Sequence, residues 1–285
     1  MSQQWRIIDL ITWAETYFKD KGFENPRNEI EWLIRSVLSV SRIDIYLNFD
    51  RLLSLKELKR LKSFVNRRLK KEPLQYITES CEFYGREYFV NNNVLIPRSE
   101  TETLIDLALE NLKGLSLPKI LDIGTGSGCL AITLASEISN SIVTGIDISQ
   151  KAINVANVNK SKNKLKNISF KKIDILRQAI NDQFDLIISN PPYITKDELV
   201  TVMKDVKEYE PLIALTDGAD GLTFYRRFSS IARDSLKKNG SMLLEVGIDN
   251  HPKKVQDVFI KQGFINTKLL KDLNGDDRVI LIKKL

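Results

Sequence analysis

An open, mostly parallel α/β sheet preceded by a small helical bundle is the fold that this 285-residue sequence predicts. Three observations carry it. From Ile120 onward short apolar runs alternate with helical stretches, the pattern of strands joined by crossover helices. The last two runs, residues 264–270 and 279–282, are separated by a short Asp/Asn/Gly-rich turn, which makes the last strand antiparallel because no crossover fits there. Before about residue 78 the periodicity is helical only.

The elements follow in order. Trp5, Ile8, Ile11, Trp13, Tyr17 and Phe18 recur at helical spacing. Asn25-Pro26 reads as an N-cap with proline at the first helical position, opening a stripe of Ile30, Leu33, Ile34, Val37 and Leu38. Ser54 and Glu57 form a capping box ahead of Leu58, Leu61, Phe64, Val65 and Leu69, and Pro73 stops that helix. Trp5, Trp13 and Trp32 are expected in the core of this bundle. The expected domains are 1–78, helical, and 79–285, the α/β unit. The second starts with a β-hairpin at about 82–95, where Phe83-Tyr84, Gly85-Arg86 and Tyr88-Phe89-Val90 mark two strands and a tight turn. Ser99 and Glu102 suggest a further capping box, before a helix through Leu104, Leu107 and Leu109. Strand-like runs then fall near 119–123, 142–146, 168–173, 184–189, 241–246, 264–270 and 278–283.

The composition limits what such a chain can be. It is 42% hydrophobic and 28% charged, as expected of a globular protein with a sizeable core, and no apolar stretch approaches the ~18 residues of a membrane span. The start, Met1-Ser2-Gln3-Gln4-Trp5-Arg6, lacks the pattern of a secretory signal. Cys81, Cys129 and His251 are too few for a disulfide framework or a Cys/His metal centre, so the expected location is the cytoplasm. Residues 1–80 hold 15 Lys and Arg against 11 Asp and Glu, a net of +4, out of +6 for the chain. Lys59, Arg60, Lys62, Arg67, Arg68, Lys70 and Lys71 concentrate that excess, as a contact surface or as a solvated helix face.

Four strand ends carry the chemistry. Ile120-Leu121-Asp122-Ile123 runs into Gly124-Thr125-Gly126-Ser127-Gly128 and then a helix, so backbone N–H groups at a helix start are open to a ligand. A nicotinamide-type fingerprint wants a small residue where Cys129 stands. Asp147 ends the next strand, 23 positions after Gly124, where an acidic residue takes the two hydroxyls of a ribose; its alternative is a surface N-cap, a role that Ser149 fills equally well. Asp174-Ile175 ends the third strand. Asn190-Pro191-Pro192-Tyr193 ends the fourth, and two prolines there neither extend a strand nor begin a helix comfortably.

This order resembles an S-adenosylmethionine-dependent methyltransferase of the Rossmann-like class I fold, and the Asn-Pro-Pro-Tyr loop resembles those that methylate a planar nitrogen. Over nearly its whole length the chain is similar to the release-factor glutamine methyltransferases (the HemK/PrmC type). The likeness runs through Glu72-Pro73-Leu74-Gln75-Tyr76, Ile96-Pro97-Arg98, Glu100-Thr101-Glu102, Glu210-Pro211-Leu212, Asp220-Gly221-Leu222, Asp272-Leu273 and Arg278-Val279. Ser99 stands where the family usually has proline, Asn250 where glutamine is common, and Ile175 where an aromatic is common.

The resemblance implies roles for these residues. Gly124, Thr125, Gly126, Ser127 and Gly128 would hold the methionine and ribose part of S-adenosylmethionine, Asp147 the ribose, and Ile175 the adenine, with Asn190 also counted among the cofactor-binding residues. Arg98 and Thr101 would reach the methionine carboxylate, with a carboxylate on its own helix as the other partner for Arg98. Asn190, Pro191, Pro192 and Tyr193 would bind and activate the substrate nitrogen: the Asn190 oxygen and the Pro191 carbonyl accept its hydrogens, and Tyr193 faces the planar amide. The implied substrate is the glutamine in the Gly-Gly-Gln loop of class I peptide chain release factors, methylated at N5. A monomer is expected, docking that partner through residues 1–78, with no nucleic acid or membrane required. Glutamine methylation of a ribosomal protein, exocyclic amine methylation in RNA or DNA, and a non-catalytic interaction protein are the alternatives.

Overall fold

The computed structural model describes residues 4–272 and 274–285, so Met1, Ser2, Gln3 and Leu273 lie outside the described residues. The chain divides into two compact units, Met1–Glu79 with Lys204–Tyr209, and Ser80–Met203 with Glu210–Leu285.

The first unit contains α1 (Ile7–Asp20), α2 (Pro26–Leu38), α3 (Arg42–Leu47), α4 (Leu55–Leu69) and α5 (Leu74–Thr78). Helix α1 buries Ile7, Leu10, Ile11, Ala14 and Phe18, one stripe at 3.6-residue period. Each such side chain contributes roughly 1.5–3 kcal/mol relative to exposure. Trp13 falls about 200° around the helix from Ile11 and therefore outside that stripe. This corrects the expectation for the tryptophans. Trp13 is 45% exposed, stacked on Tyr17 with ring centroids 5.1 Å apart, and Trp5 and Trp32 are only half-buried. The core is instead aliphatic with Phe18, Phe23 and Phe64.

The capping box at Ser54 forms as predicted, with Glu57 N donating to Ser54 Oγ and Ser54 N donating to Glu57 Oε2 at 2.8 Å. Proline opens α2, but Asn25 caps it without a side-chain bond. The basic stretch is partly neutralised locally: Arg67 pairs with Glu72 and Arg68 with Glu29, while Lys59, Arg60 and Lys62 stay exposed. Tyr209 Oη donates to Lys70 O at 2.8 Å, so this unit includes a segment from far along the chain.

The second unit opens with β1 (Ser80–Phe83) and β2 (Arg86–Phe89), a hairpin turning at Tyr84-Gly85, both at positive φ. It is shorter than the expected 82–95, because Asn91 starts a new turn in which its Oδ1 accepts from Asn93 N. Helix α6 (Glu102–Leu112) follows a 3-10 turn at Ser99–Thr101, and here the expected capping box is absent. Glu102 instead accepts from Tyr84 N at 2.8 Å, tying the helix to the hairpin.

Then come β3 (Lys119–Ile123), α7 (Cys129–Glu137), β4 (Ile142–Asp147), α8 (Gln150–Lys162), β5 (Ile168–Lys172) and β6 (Phe184–Ser189). After α9 (Lys204–Tyr209), which belongs to the first unit, follow α10 (Leu212–Leu215), α11 (Thr223–Ser235), β7 (Leu236–Glu245), α12 (His251–Lys261), β8 (Thr267–Lys271) and β9 (Asp277–Lys283). The seven strands are ordered β5-β4-β3-β6-β7-β9-β8. β9 runs antiparallel to both of its neighbours, β7 and β8, as the short final turn requires. Strand order reverses between β3 and β6, the switch point where open α/β sheets bind ligands. Leu121, Ile187, Leu244 and Ile280 feed the core on one face of the sheet, and Ile120, Leu186, Leu243 and Val279 that on the other. Among the described residues no helix is long and apolar enough to cross a membrane.

Candidate active site

β3 and β6 pair in parallel with Ile123 opposite Ser189, so the glycine loop and the Asn-Pro-Pro-Tyr loop leave the sheet side by side. Ser189 Oγ donates to Ile123 O at 2.6 Å and locks the two strand ends together. β4 lies on the other side of β3 and delivers Asp147 to the same edge. Between these ends is a cavity of about 270 Å³. Gly124, Gly126, Asp147, Ile175, Asn190, Pro191 and Pro192 line it, all of them expected from sequence.

Thr125, Ser127, Gly128 and Tyr193 do not form its wall. Thr125 Oγ1 donates to Asp122 Oδ2 at 2.6 Å, and Ser127 O accepts from Asn159 Nδ2 at 2.9 Å. A Cβ on Gly128 would come within 3.0 Å of Ile132 and Phe170, so that glycine serves close helix packing. Asp122 is fully buried with Oδ1 unpartnered, and burial pushes its pKa up to about 7. The two thiols are no nucleophiles: burial pushes Cys81 up to about 11 and Cys129 to about 12.

The glycine loop takes its shape from the neighbouring strand. Gly124 N and Thr125 N both donate to Ile146 O, at 2.8 and 2.9 Å, with Gly124 at φ +73° and Gly126 at φ +54°. Asp147 Oδ2 accepts from Gly126 N at 3.0 Å and Oδ1 from Ser149 N at 2.8 Å. Burial raises the pKa of this carboxyl, opposed above all by the N–H bonds from Ser149 and Gly126. One acceptor position remains on each oxygen, suited to a vicinal diol. The N-cap role belongs to Ser149, whose Oγ accepts from Ala152 N. At the far end Ile175 shares the wall with Phe224 and Phe228 of α11. Those two rings were not anticipated, since an i, i+4 phenylalanine pair on a helix reads simply as core.

The Asn-Pro-Pro-Tyr loop is held by polar groups from four other elements. Asn190 Nδ2 donates to Thr101 Oγ1 at 3.1 Å, and Thr101 Oγ1 donates to Glu245 Oε2 at 2.6 Å. Tyr193 Oη lies 3.3 Å from Glu245 Oε1, and Arg278 Nη2 is 3.5 Å from both. Ile194 N donates to Leu215 O. Two expectations change here. The Thr101 hydroxyl is engaged between Glu245 and Asn190, and Arg98 pairs with the buried Glu210 at 2.5 Å, because that carboxylate needs a cation and also takes Ile96 N. Glu245 was not anticipated, since nothing in the sequence spacing joins it to Thr101, 144 positions away.

His251 is not available as a base. Its Nδ1 accepts from Gly247 N and its Nε2 donates to Gly221 O, and burial lowers its pKa. Gly221 itself, at φ +77°, sits so close to the loop that a Cβ would meet Tyr193 O at 2.5 Å.

The family description "PrmC N-terminal domain" matches residues 9–78, and "Methyltransferase small domain" matches residues 100–208. The release factor glutamine methyltransferase of Geobacter sulfurreducens is 39% identical over 277 residues, 97% of this chain and 96% of that protein. The one from Bacillus subtilis is 36% identical over 282 residues, 96% of each. Among solved structures, a methyltransferase from Pyrococcus furiosus aligns with a TM-score of 0.52 at 18% identity, covering 80% of this chain and 98% of that one. The 16S rRNA N2 G1207 methyltransferase of T. thermophilus, solved with AdoMet and guanosine, aligns with a TM-score of 0.52 at 19% identity over 72% of this chain and 50% of that one. Both show the fold alone.

Proposed function

Because this chain belongs to the release factor glutamine methyltransferase family, we propose that it transfers the methyl group of S-adenosylmethionine to the side-chain amide nitrogen (N5) of the glutamine in the Gly-Gly-Gln loop of class I peptide chain release factors. The observation that carries this reading is Asn190, which lines the cavity while its NH₂ is turned away to Thr101, leaving Oδ1 as an acceptor.

The cavity fits the methyl donor. Gly124 and Gly126 allow close backbone approach, Asp147 has two acceptor positions left for the ribose, and Ile175 with Phe224 and Phe228 forms an apolar slot for a flat base. When bound, S-adenosylmethionine supplies an electrophilic methyl group on a sulfonium.

The protein's task is to make an amide nitrogen react. That nitrogen is a poor nucleophile because its lone pair is delocalised into the carbonyl. Asn190 Oδ1 and the Pro191 carbonyl would accept the two N–H groups, holding the nitrogen in line and stabilising positive charge as it develops. Pro191 and Pro192 fix φ and remove loop freedom, so this geometry is prepaid. The surplus proton, strongly acidic once the methylated amide nitrogen carries positive charge, is lost to water, and no strong base is required. The first unit, with its exposed Lys59, Arg60 and Lys62, is the proposed grip on the body of the release factor.

The test is to incubate the full chain with labelled S-adenosylmethionine and unmodified release factor, its Gln→Ala counterpart, a short Gly-Gly-Gln peptide, and RNA. Label is expected on the intact factor, absent from the Gln→Ala form, and on the peptide only at a much higher KM. Label on RNA with none on the factor would overturn the reading.

Gly221→Ala is expected to displace the Tyr193 carbonyl and lower kcat by roughly tenfold or more, as small misplacements near a reacting centre do. Steady-state kinetics on folded protein checks it. An unchanged kcat would mean that the loop relaxes without consequence.

A further inference from the structure

We propose that Thr101 and Glu245 are positioning residues that determine which end of the Asn190 amide faces the substrate. The inference rests on the reading above that Asn190 contacts the substrate amide, and adds what makes Asn190 an acceptor there. An asparagine side chain is nearly symmetric in shape: turned by 180° about its last bond, it presents NH₂ where oxygen was. Facing another NH₂ group, a flipped Asn190 would repel the substrate it is meant to hold. Something must select one orientation.

The buried chain of hydrogen bonds does so by proton counting. Glu245 is 3% exposed, and burial raises its pKa; against that, the Thr101 hydroxyl at 2.6 Å and the Arg278 guanidinium 3.5 Å from Oε1 favour the carboxylate form, which only accepts. Thr101, 4% exposed, has one hydroxyl proton and donates it to Glu245 Oε2 at 2.6 Å. The Thr101 oxygen can then only accept, and the one Asn190 atom able to donate to it is Nδ2, which lies at 3.1 Å. Oδ1 is thereby turned the other way. Charge on Glu245 is converted, through one hydroxyl, into the polarity of the catalytic amide. The same carboxylate receives Tyr193 Oη at 3.3 Å, so both polar side chains of the loop refer to one buried anion.

The test uses the full-length protein as wild type, Thr101→Val, Thr101→Ser, Asn190→Ala and the Thr101→Val/Asn190→Ala double variant. Single-turnover methylation is measured beside S-adenosylmethionine affinity. Thr101→Val keeps the shape and removes the hydroxyl, and is expected to lower the rate about 10–100-fold with cofactor affinity within about twofold. Thr101→Ser should restore the rate to within about threefold of wild type. In the Asn190→Ala background Thr101→Val should add less than about twofold, since there is no amide left to orient. A Thr101→Val rate equal to wild type, or a full multiplicative loss in the double variant, would overturn the proposal.

Should Thr101→Val fail to fold, Glu245→Gln carries the test. Arg278 keeps the glutamine oxygen on its own side, so NH₂ faces Thr101, the chain of donors reverses, and about a tenfold loss is expected, again absent without Asn190. Retained rate there would equally refute the idea. Failure of the substrate reading is separate: it shows as wild-type label on a different acceptor, on which the same variants are then compared.

Discussion

Asn190→Ala is expected to reduce kcat by on the order of 10²–10³ while S-adenosylmethionine binds almost as before. The side chain reaches the cavity wall through a loop whose backbone is held elsewhere, by Ile194 N on Leu215 O and by Tyr193 against Glu245. Removing the amide therefore leaves the loop in place and takes away one acceptor that matters only as charge develops on the substrate nitrogen. Lost ground-state binding would appear in KM instead, so the split between kcat and KM is the readout. Single-turnover rates with saturating cofactor, with calorimetric titration of the cofactor alongside, decide the matter. A kcat within a few-fold of wild type would remove Asn190 from the reaction.

For Asp147→Ala the loss is expected in the opposite place. Cofactor affinity should fall by roughly 1.5–3 kcal/mol, about 10–150-fold, with kcat at saturating cofactor changed by only a few-fold. The carboxylate has two functions in the geometry: it orders the glycine loop through Gly126 N and the next helix through Ser149 N, and it keeps an acceptor on each oxygen for a ribose. Adenosine competition separates the two. If the diol contact dominates, 2′-deoxyadenosine and adenosine should compete equally poorly against the variant and unequally against wild type. An unchanged dissociation constant would place the ribose elsewhere.

Much of this protein was determined by sequence alone, for a physical reason. Strand and helix periods, the helix cap at Ser54 and the short final turn are local, and they sufficed for the helical unit, the seven strands and the antiparallel last strand. The strand ends Gly124, Asp147, Ile175 and Asn190 were legible too, because in a parallel sheet all such ends emerge on one edge and their order along the chain limits where they can go. What only the tertiary structure decided are relations between distant groups. Trp13 lies outside the buried stripe because the rotation of α1 is set by the aliphatic residues around it. Arg98 turned to Glu210, 112 positions away, and the Thr101 hydroxyl to Glu245. A side chain's hydrogen-bond partner is chosen by which buried charge most needs one. That is known only once β6, β7 and the segment before α6 are packed together, and it is what turns the oxygen of Asn190 toward the cavity.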